Sequence, residues 1–263
     1  MLLAIDVGNS NIDIGVFEEA ELRMRAKASA RTERSADEYA AMLGDLLRLR
    51  GIAGEEIDGC ILSSVVPELT GLIAEAARTA AGVTAVKVGP GIRTGFRIGI
   101  DDPSQLGGDL VADSLAALTE YGAPLVLIDA GTVTAVAAID AARTYLGGSI
   151  LPGIRRSAAV LKETAALLPS IGLDGPAAEL LGRDSIGAMR SGLLWGSAIM
   201  VDGFIDRYRA MPGMAGAKCV ATGGSAGLVT ALCQREVILD EELTLKGLRY
   251  LYIGNRPRRG GAG

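Results

Sequence analysis

Two stretches of this chain are written on one template. Residues 2–11 read LLAIDVGNSN and residues 125–134 read LVLIDAGTVT. Each is four apolar residues, an aspartate, a small or apolar residue, a glycine, a hydroxyl or amide, a spacer, and a second hydroxyl or amide. Asp6 and Asp129 stand about half the 263-residue chain apart. Self-similarity at that distance limits the fold to two half-molecules of one design.

The segments between support this reading. Leu2–Ile5 and Ile12–Phe17 are expected strands around a polar turn. Ala36–Arg50 carries helical spacing, with Ser35 as N-cap and Glu38 completing a capping box. Strands are expected at Ile57–Ser63 and Thr84–Val88, with a helix over Pro67–Ala80 between them. Pro103–Tyr121 reads as a helix with Asp109 in its early part. The second half gives strands at Leu125–Ile128, onward to Ile139, near Tyr145–Leu151, at Lys218–Ala221 and at Val237. Its helices are expected at Ser157–Leu168, at Ser185–Met211 with a break, and at Leu243–Tyr252. Strands alternating with helices indicate an α/β class. Domains are expected at 1–122 and 123–254, followed by a disordered tail at 255–263 that holds Arg256, Arg258 and Arg259.

Composition narrows the chemistry. The chain has no histidine, which excludes a Ser-His-Asp triad, a Cys-His pair, His-ligated zinc and a His general base. Acid–base work therefore falls to carboxylates, Lys, Tyr or Cys. Net charge is −5 and the basic residues are scattered, so no nucleic-acid partner is expected. The start lacks a positive n-region and no apolar run is long enough to span a bilayer, so neither a signal peptide nor membrane association is expected. Cys60, Cys219 and Cys233 are an odd set without close spacing, as suits a reducing cytoplasm.

Both Asp-x-Gly turns have the equipment for phosphate. Glycine lets backbone N–H groups approach closely, and Asn, Ser or Thr donate to phosphate oxygens. Aspartate can hold Mg²⁺ directly or through water. Two such turns could grip one triphosphate. The alternative is two ordinary hairpin turns, in which Asp and Asn beside Gly are common; the repetition after two apolar strands favours phosphate. Thr222-Gly223-Gly224 is either the opening of a helix or an adenosine-side contact. Neither a Walker A nor a dinucleotide fingerprint stands where one would be needed.

DVGNSN at 6–11, SSVVP at 63–67, GPGIRTG at 89–95, DPSQLGGD at 102–109, DAGTVT at 129–134, GGSILPG at 147–153 and ATGG at 221–224 resemble, in order, the type III pantothenate kinases. The resemblance runs from Met1 to about Tyr252. It implies the duplicated RNase H-like fold of the acetate and sugar kinase / Hsp70 / actin superfamily, two similar domains with a nucleotide cleft between them. It also implies ATP-dependent phosphorylation of pantothenate to 4'-phosphopantothenate, the first step of coenzyme A synthesis, with Mg²⁺, potassium or ammonium, and a homodimer.

Position by position, the resemblance makes Asp6, Val7, Gly8, Asn9, Ser10, Asn11, Ile12 and Asp13 the first phosphate motif, with Asp6 near Mg²⁺. Thr132 matches an ATP contact and Asp129 the monovalent-cation ligand. Asp109 matches the catalytic base, Gly107, Gly108, Asp109 and Leu110 the pantothenate-binding stretch, and Ser185 a substrate contact from the partner subunit. A helix N-terminus is expected to stabilise the Asp109 anion.

The chain departs from the family at the acceptor end. Ile100 stands for a Tyr, Leu110 for an Arg, Asp102 for an Asn, Ala130 for an aromatic and Ala135 for a Thr. Losing the Arg removes a bidentate cation, which Arg93, Arg97, Arg155 or Arg156 would have to replace. Two alternatives stay open: a kinase for another small alcohol, and a nucleotide-binding accessory protein with weak or no kinase activity.

Overall fold

The computed structural model describes residues 1–165, 167–175 and 179–256. The expected tail beyond Arg256 lies outside the described residues. The chain divides into two compact units. The first comprises Met1–Gly95, Asp102–Ala116 and the chain from Leu243 onward; the second comprises Phe96–Asp101 and Ala117–Glu242. Position 122, the expected boundary, falls inside the second unit.

The first unit is built on strands β1 (Leu2–Val7), β2 (Asn11–Glu18), β3 (Glu21–Ser29), β4 (Gly59–Ser64) and β5 (Ala85–Lys87). They pair in the order β3-β2-β1-β4-β5. The first three form an antiparallel meander, and β4 and β5 add in parallel to β1. Parallel addition needs crossovers, which helices α1 (Ala36–Leu49) and α2 (Pro67–Ala81) provide. The capping box is made: the Ser35 hydroxyl accepts from the Glu38 amide, and the Glu38 carboxylate accepts from the Ser35 amide.

Alternation sorts the strand residues between two faces. Leu3, Ile5, Val7, Ile12, Ile14, Val16, Cys60 and Leu62 share one buried cluster with Tyr39, Leu43, Leu69 and Ile73 of α1 and α2. Burying each such large apolar side chain is worth about 1.5–3 kcal/mol. The other face lies under α7 (Leu243–Asn255), which contacts β1, β2 and β4. Helix α3 (Gly108–Glu120) crosses α7 so closely that a Cβ on Gly247 would collide with the Ala112 backbone. The expected helix from Pro103 is interrupted. Pro103–Gln105 form a single 3₁₀ turn capped by the Asp102 carboxylate, and α3 begins only at Gly108.

The second unit repeats the first sheet. Strands β7 (Leu125–Ala130), β8 (Val133–Ile139), β9 (Thr144–Pro152), β10 (Lys218–Thr222) and β11 (Ile238–Leu239) pair in the matching order, and β6 (Arg97–Ile98) is added outside β9. Helices α4 (Ile154–Thr164), α5 (Ser185–Arg209) and α6 (Ala226–Thr230) complete it. Helix α5 runs its 25 residues without the expected break, and Val201 and Ile205 join Val126, Ile128 and Ala130 in the core. Strands β3 and β6 were not expected: β3 alternates Leu22, Met24, Ala26 and Ala28 with polar residues but buries only Met24, and β6 is two residues long.

Among the described residues, no helix is long and apolar enough to cross a membrane. Gly247→Ala should destabilise the protein by about 1–3 kcal/mol, the usual range for overpacking. Urea unfolding followed by circular dichroism checks this; an unchanged midpoint would mean that α3 and α7 are less tightly apposed.

Candidate active site

Strand register assembles the polar residues of the first unit. Asp6 lies opposite Asp13 on β2 and beside Ser63 on β4, and Asp13 lies opposite Lys27 on β3. Paired residues project to the same face. Lys27, Asp13, Asp6 and Ser63 therefore form one polar row across four strands, on the face away from α1 and α2. Lys27 Nζ stands 3.3 Å from Asp13 Oδ1. Carboxylates directly opposite one another repel. Lys27 offsets one charge, and the hard oxygens of Asp6 fit a divalent cation that takes one or two carboxylates and completes its shell with water and phosphate. Among the described residues, no group of three or more His, Cys, Asp or Glu is placed to hold a metal ion.

The turn after β1 is closed by Gly8 N–H donating to the Asn11 carbonyl at 2.9 Å. Val7 and Ile12 are paired across the ladder and fully buried, so they anchor the turn rather than present side chains to a ligand. Asn9 and Asn11 are exposed, while Gly8 and Ser10 are half-buried.

Asp109 is in the first turn of α3. The helix start docks on the strand ends: a Cβ on Gly108 would lie 2.9 Å from Ser63 Oγ and 3.1 Å from Val88. A Cβ on Gly107 would collide with the Asp109 carboxylate. Two glycines are thus the condition for seating Asp109 here. The Leu110 amide donates to Asp109 Oδ1 at 2.7 Å. The expected lowering by the helix N-terminus does not win: burial raises the Asp109 pKa above the ordinary carboxylate value, and the backbone donors only partly oppose it. A raised pKa makes a better proton acceptor. Asp113, one turn on, is 1% exposed and belongs to the helix interior.

In the second unit, Gly131 N–H donates to the Val133 carbonyl at 2.9 Å, closing a turn one residue tighter than the one at Gly8. Asp129 pairs with Ala135 on one side and Thr222 on the other. Thr222 thus sits beside Asp129 as Ser63 sits beside Asp6, a hydroxyl in the neighbouring parallel strand each time. Gly223, at φ +96°, brings its turn so close that a Cβ would stand 2.5 Å from Asp129 Oδ1. The Thr222-Gly223-Gly224 turn leads into α6. Gly153 N–H donates to the Thr132 carbonyl at 3.1 Å and seats the start of α4 on this turn.

Ile100 lies apart from that turn, packed at 3.7 Å from the position a Cβ on Gly147 would take. Ser185 is exposed at the start of α5, whose N-cap is Asp184. Arg155 is bound to Asp174 through both terminal nitrogens, at 3.0 and 3.3 Å, so it is already engaged. Asn255 holds the backbone of Arg93 at two points, donating to its carbonyl and accepting from its amide. Leu110 is half-buried.

Comparison with known proteins places these features. A Campylobacter jejuni protein described as a Baf family transcriptional activator matches with a TM-score of 0.59 at 18% identity, over 95% of this chain and 97% of that one. The ethanolamine utilization protein EutJ of Carboxydothermus hydrogenoformans matches with a TM-score of 0.56 at 16% identity, over 96% and 89%. These likenesses concern the fold alone. With two copies of one sheet, each carrying an Asp-x-Gly turn after its first strand, the chain has the actin-like, sugar-kinase type of α/β fold. The family model for type III pantothenate kinase matches residues 2–207. The type III pantothenate kinase of Roseiflexus sp. (strain RS-1) is 41% identical over 97% of this chain and 100% of its own length, and that of Shouchella clausii 38% over the same shares. The chain belongs to the type III pantothenate kinase family.

A carboxyl group whose folded-state pKa is raised holds its proton more tightly folded than unfolded. Stability therefore falls as pH rises from the unfolded value through the folded one, and the penalty is complete above it. Asp109→Asn removes that penalty. At pH 7 the variant should melt about 2 °C or more above the parent, with the gap closing as pH approaches the ordinary carboxylate value. Thermal melts across pH 4–7.5 decide this; a variant less stable at pH 7 would show that burial does not dominate at Asp109.

Proposed function

We propose that this protein transfers the γ-phosphoryl group of ATP to the primary hydroxyl of pantothenate. The observation that most supports the reading is Asp109: a half-buried carboxylate with a raised pKa, seated by two glycines in a chain that belongs to this family. Asp109 takes the proton of the alcohol as its oxygen bonds to phosphorus. The bond from phosphorus to the ADP oxygen breaks, and ADP leaves with its electron pair.

In this reading the turn from Asp6 to Asp13 receives phosphate oxygens on the exposed groups between Gly8 and Asn11. Asp6 is the residue that would hold Mg²⁺, which supplies charge neutralisation on the phosphates. Asp129 would hold potassium or ammonium: its ladder neighbours Ala135 and Thr222 carry no charge, so one carboxylate faces one monovalent cation. Thr132 is the nucleotide contact, and Gly107 to Leu110 with Ile100 and Ser185 are the acceptor contacts. With Leu110 carrying no charge and Arg155 engaged by Asp174, Arg93, Arg97 and Arg156 remain to meet the pantothenate carboxylate.

Purified protein with ATP, Mg²⁺ and potassium or ammonium should release ADP only when pantothenate is present. Turnover with another alcohol in its place would assign a different substrate, and nucleotide binding without turnover would assign an accessory role. Asp109→Asn should lower kcat by about 10²–10⁴-fold, the usual worth of a general base, while ATP affinity by calorimetry stays within about twofold.

A homodimer belongs to the same proposal. Helix α5 leaves Gly192, Gly196 and Ile199 exposed on one side, with Ile186 exposed near its start. Ile199 is 60% exposed, unusual for an isoleucine in a helix whose opposite side is core. Exposed glycines let a second helix approach closely. Ile199→Asp should convert a dimer to a monomer in sedimentation velocity at micromolar concentration, and a parent that already sediments as a monomer would exclude the dimer.

A further inference from the structure

The SSVVP segment at 63–67 is used by nothing said so far about phosphate or acceptor. Its first residue, Ser63, ends β4 beside Asp6. The Ser63 side chain is 0% exposed, and its hydroxyl has no hydrogen-bond partner among the described residues. It is aimed at the start of α3, 2.9 Å from where a Cβ on Gly108 would stand, one residue before Asp109. Leu62 and Cys60, on the same strand, are plain apolar core.

A buried hydroxyl without an acceptor loses its hydration and gains nothing in return. An alanine of nearly the same shape would remove that loss. A hydroxyl is worth keeping here when a bond forms at another stage of the reaction. The acceptor must lie near Gly108, and the adjoining carboxylate is the one the reaction uses. Asp109 Oδ1 is held by the Leu110 amide, a contact within its own helix turn. The other backbone donor to the carboxylate, Asp109's own amide, belongs to the same helix turn. A donor from a strand rather than from α3 fixes the carboxyl plane from a second direction. Serine can supply it by rotating about a single side-chain bond.

We infer that Ser63 is a positioning residue for the phosphoryl transfer, its hydroxyl donating to the Asp109 carboxylate when both substrates are bound and orienting it toward the acceptor's hydroxyl. The inference rests on the pantothenate kinase reading above. It makes Ser63 act through Asp109, so its loss is felt in turnover and not in substrate affinity.

The experiment compares the parent, Ser63→Ala and Ser63→Thr in steady-state kinetics with pantothenate and ATP and in thermal melts without ligands. Ser63→Ala is expected to lower kcat about tenfold or more, to leave both KM values within about twofold, and to melt at or above the parent's temperature, since the ligand-free fold loses no bond. Ser63→Thr, which keeps a hydroxyl, is expected to recover most of the lost kcat. A Ser63→Ala kcat within twofold of the parent overturns the inference, as does a clearly lower melting temperature, which would mean that the hydroxyl supports the ligand-free fold. A Ser63→Thr variant that folds like the parent but is as slow as Ser63→Ala also overturns it. A parent that releases no ADP with pantothenate removes the functional reading and this inference together; a fully active parent with an equally active Ser63→Ala removes this inference alone.

Discussion

A one-residue slip of β1 against β2 and β4 would turn Asp6 into the cluster under α1 and α2, and turn Ile5 out of it. Register is therefore the constraint on which the candidate site depends. It is fixed by Leu3, Ile5 and Val7, which belong in that cluster and leave Asp6 on the opposite face. The polar row from Lys27 to Ser63 follows as a by-product of where the apolar residues must go. The same logic holds in the second sheet, where Val126, Ile128 and Ala130 are core and Asp129 is not.

Two different physical effects meet at Asp109. The Leu110 amide offers the carboxylate a hydrogen bond, and burial in the first turn of α3 takes away its water. Burial is the larger effect and leaves the group a more willing proton acceptor. The glycines at 107 and 108 make this possible, because any side chain there would hold α3 off the strand ends and let solvent in. Asp102 contributes by closing the short turn after Pro103, so the chain reaches Gly107 already bent.

The repeat of Asp6 and Asp129 was legible because each sits at the end of an uninterrupted apolar run. The capping box at Ser35 was legible for the same reason: its partners are three residues apart. What escaped reading was non-local. That Ser63 stands beside Asp6 depends on how two strands separated by α1 align, which no local spacing encodes. That α3 starts at Gly108 and not at Pro103 depends on the docking of the helix end over Ser63 and Val88. The sign of the Asp109 shift was misjudged because the helix end is visible in sequence and the loss of water is not. Strand β3 was missed because its alternating apolar residues, Leu22, Met24, Ala26 and Ala28, are only partly buried apart from Met24, and charged residues stand between them.

Helix α7 comes after every strand of the second sheet, yet it covers a face of the first. During synthesis, β1 to β5 leave the ribosome early with that face bare. They stay so until residues 243–255 follow, by which time the second unit has all its strands. The order of closure is thus the reverse of the order of synthesis: the sheet that emerges first is closed last, and a nascent chain halted before Leu243 would expose the surface around Gly15 and Gly59 where Leu245 and Tyr252 belong.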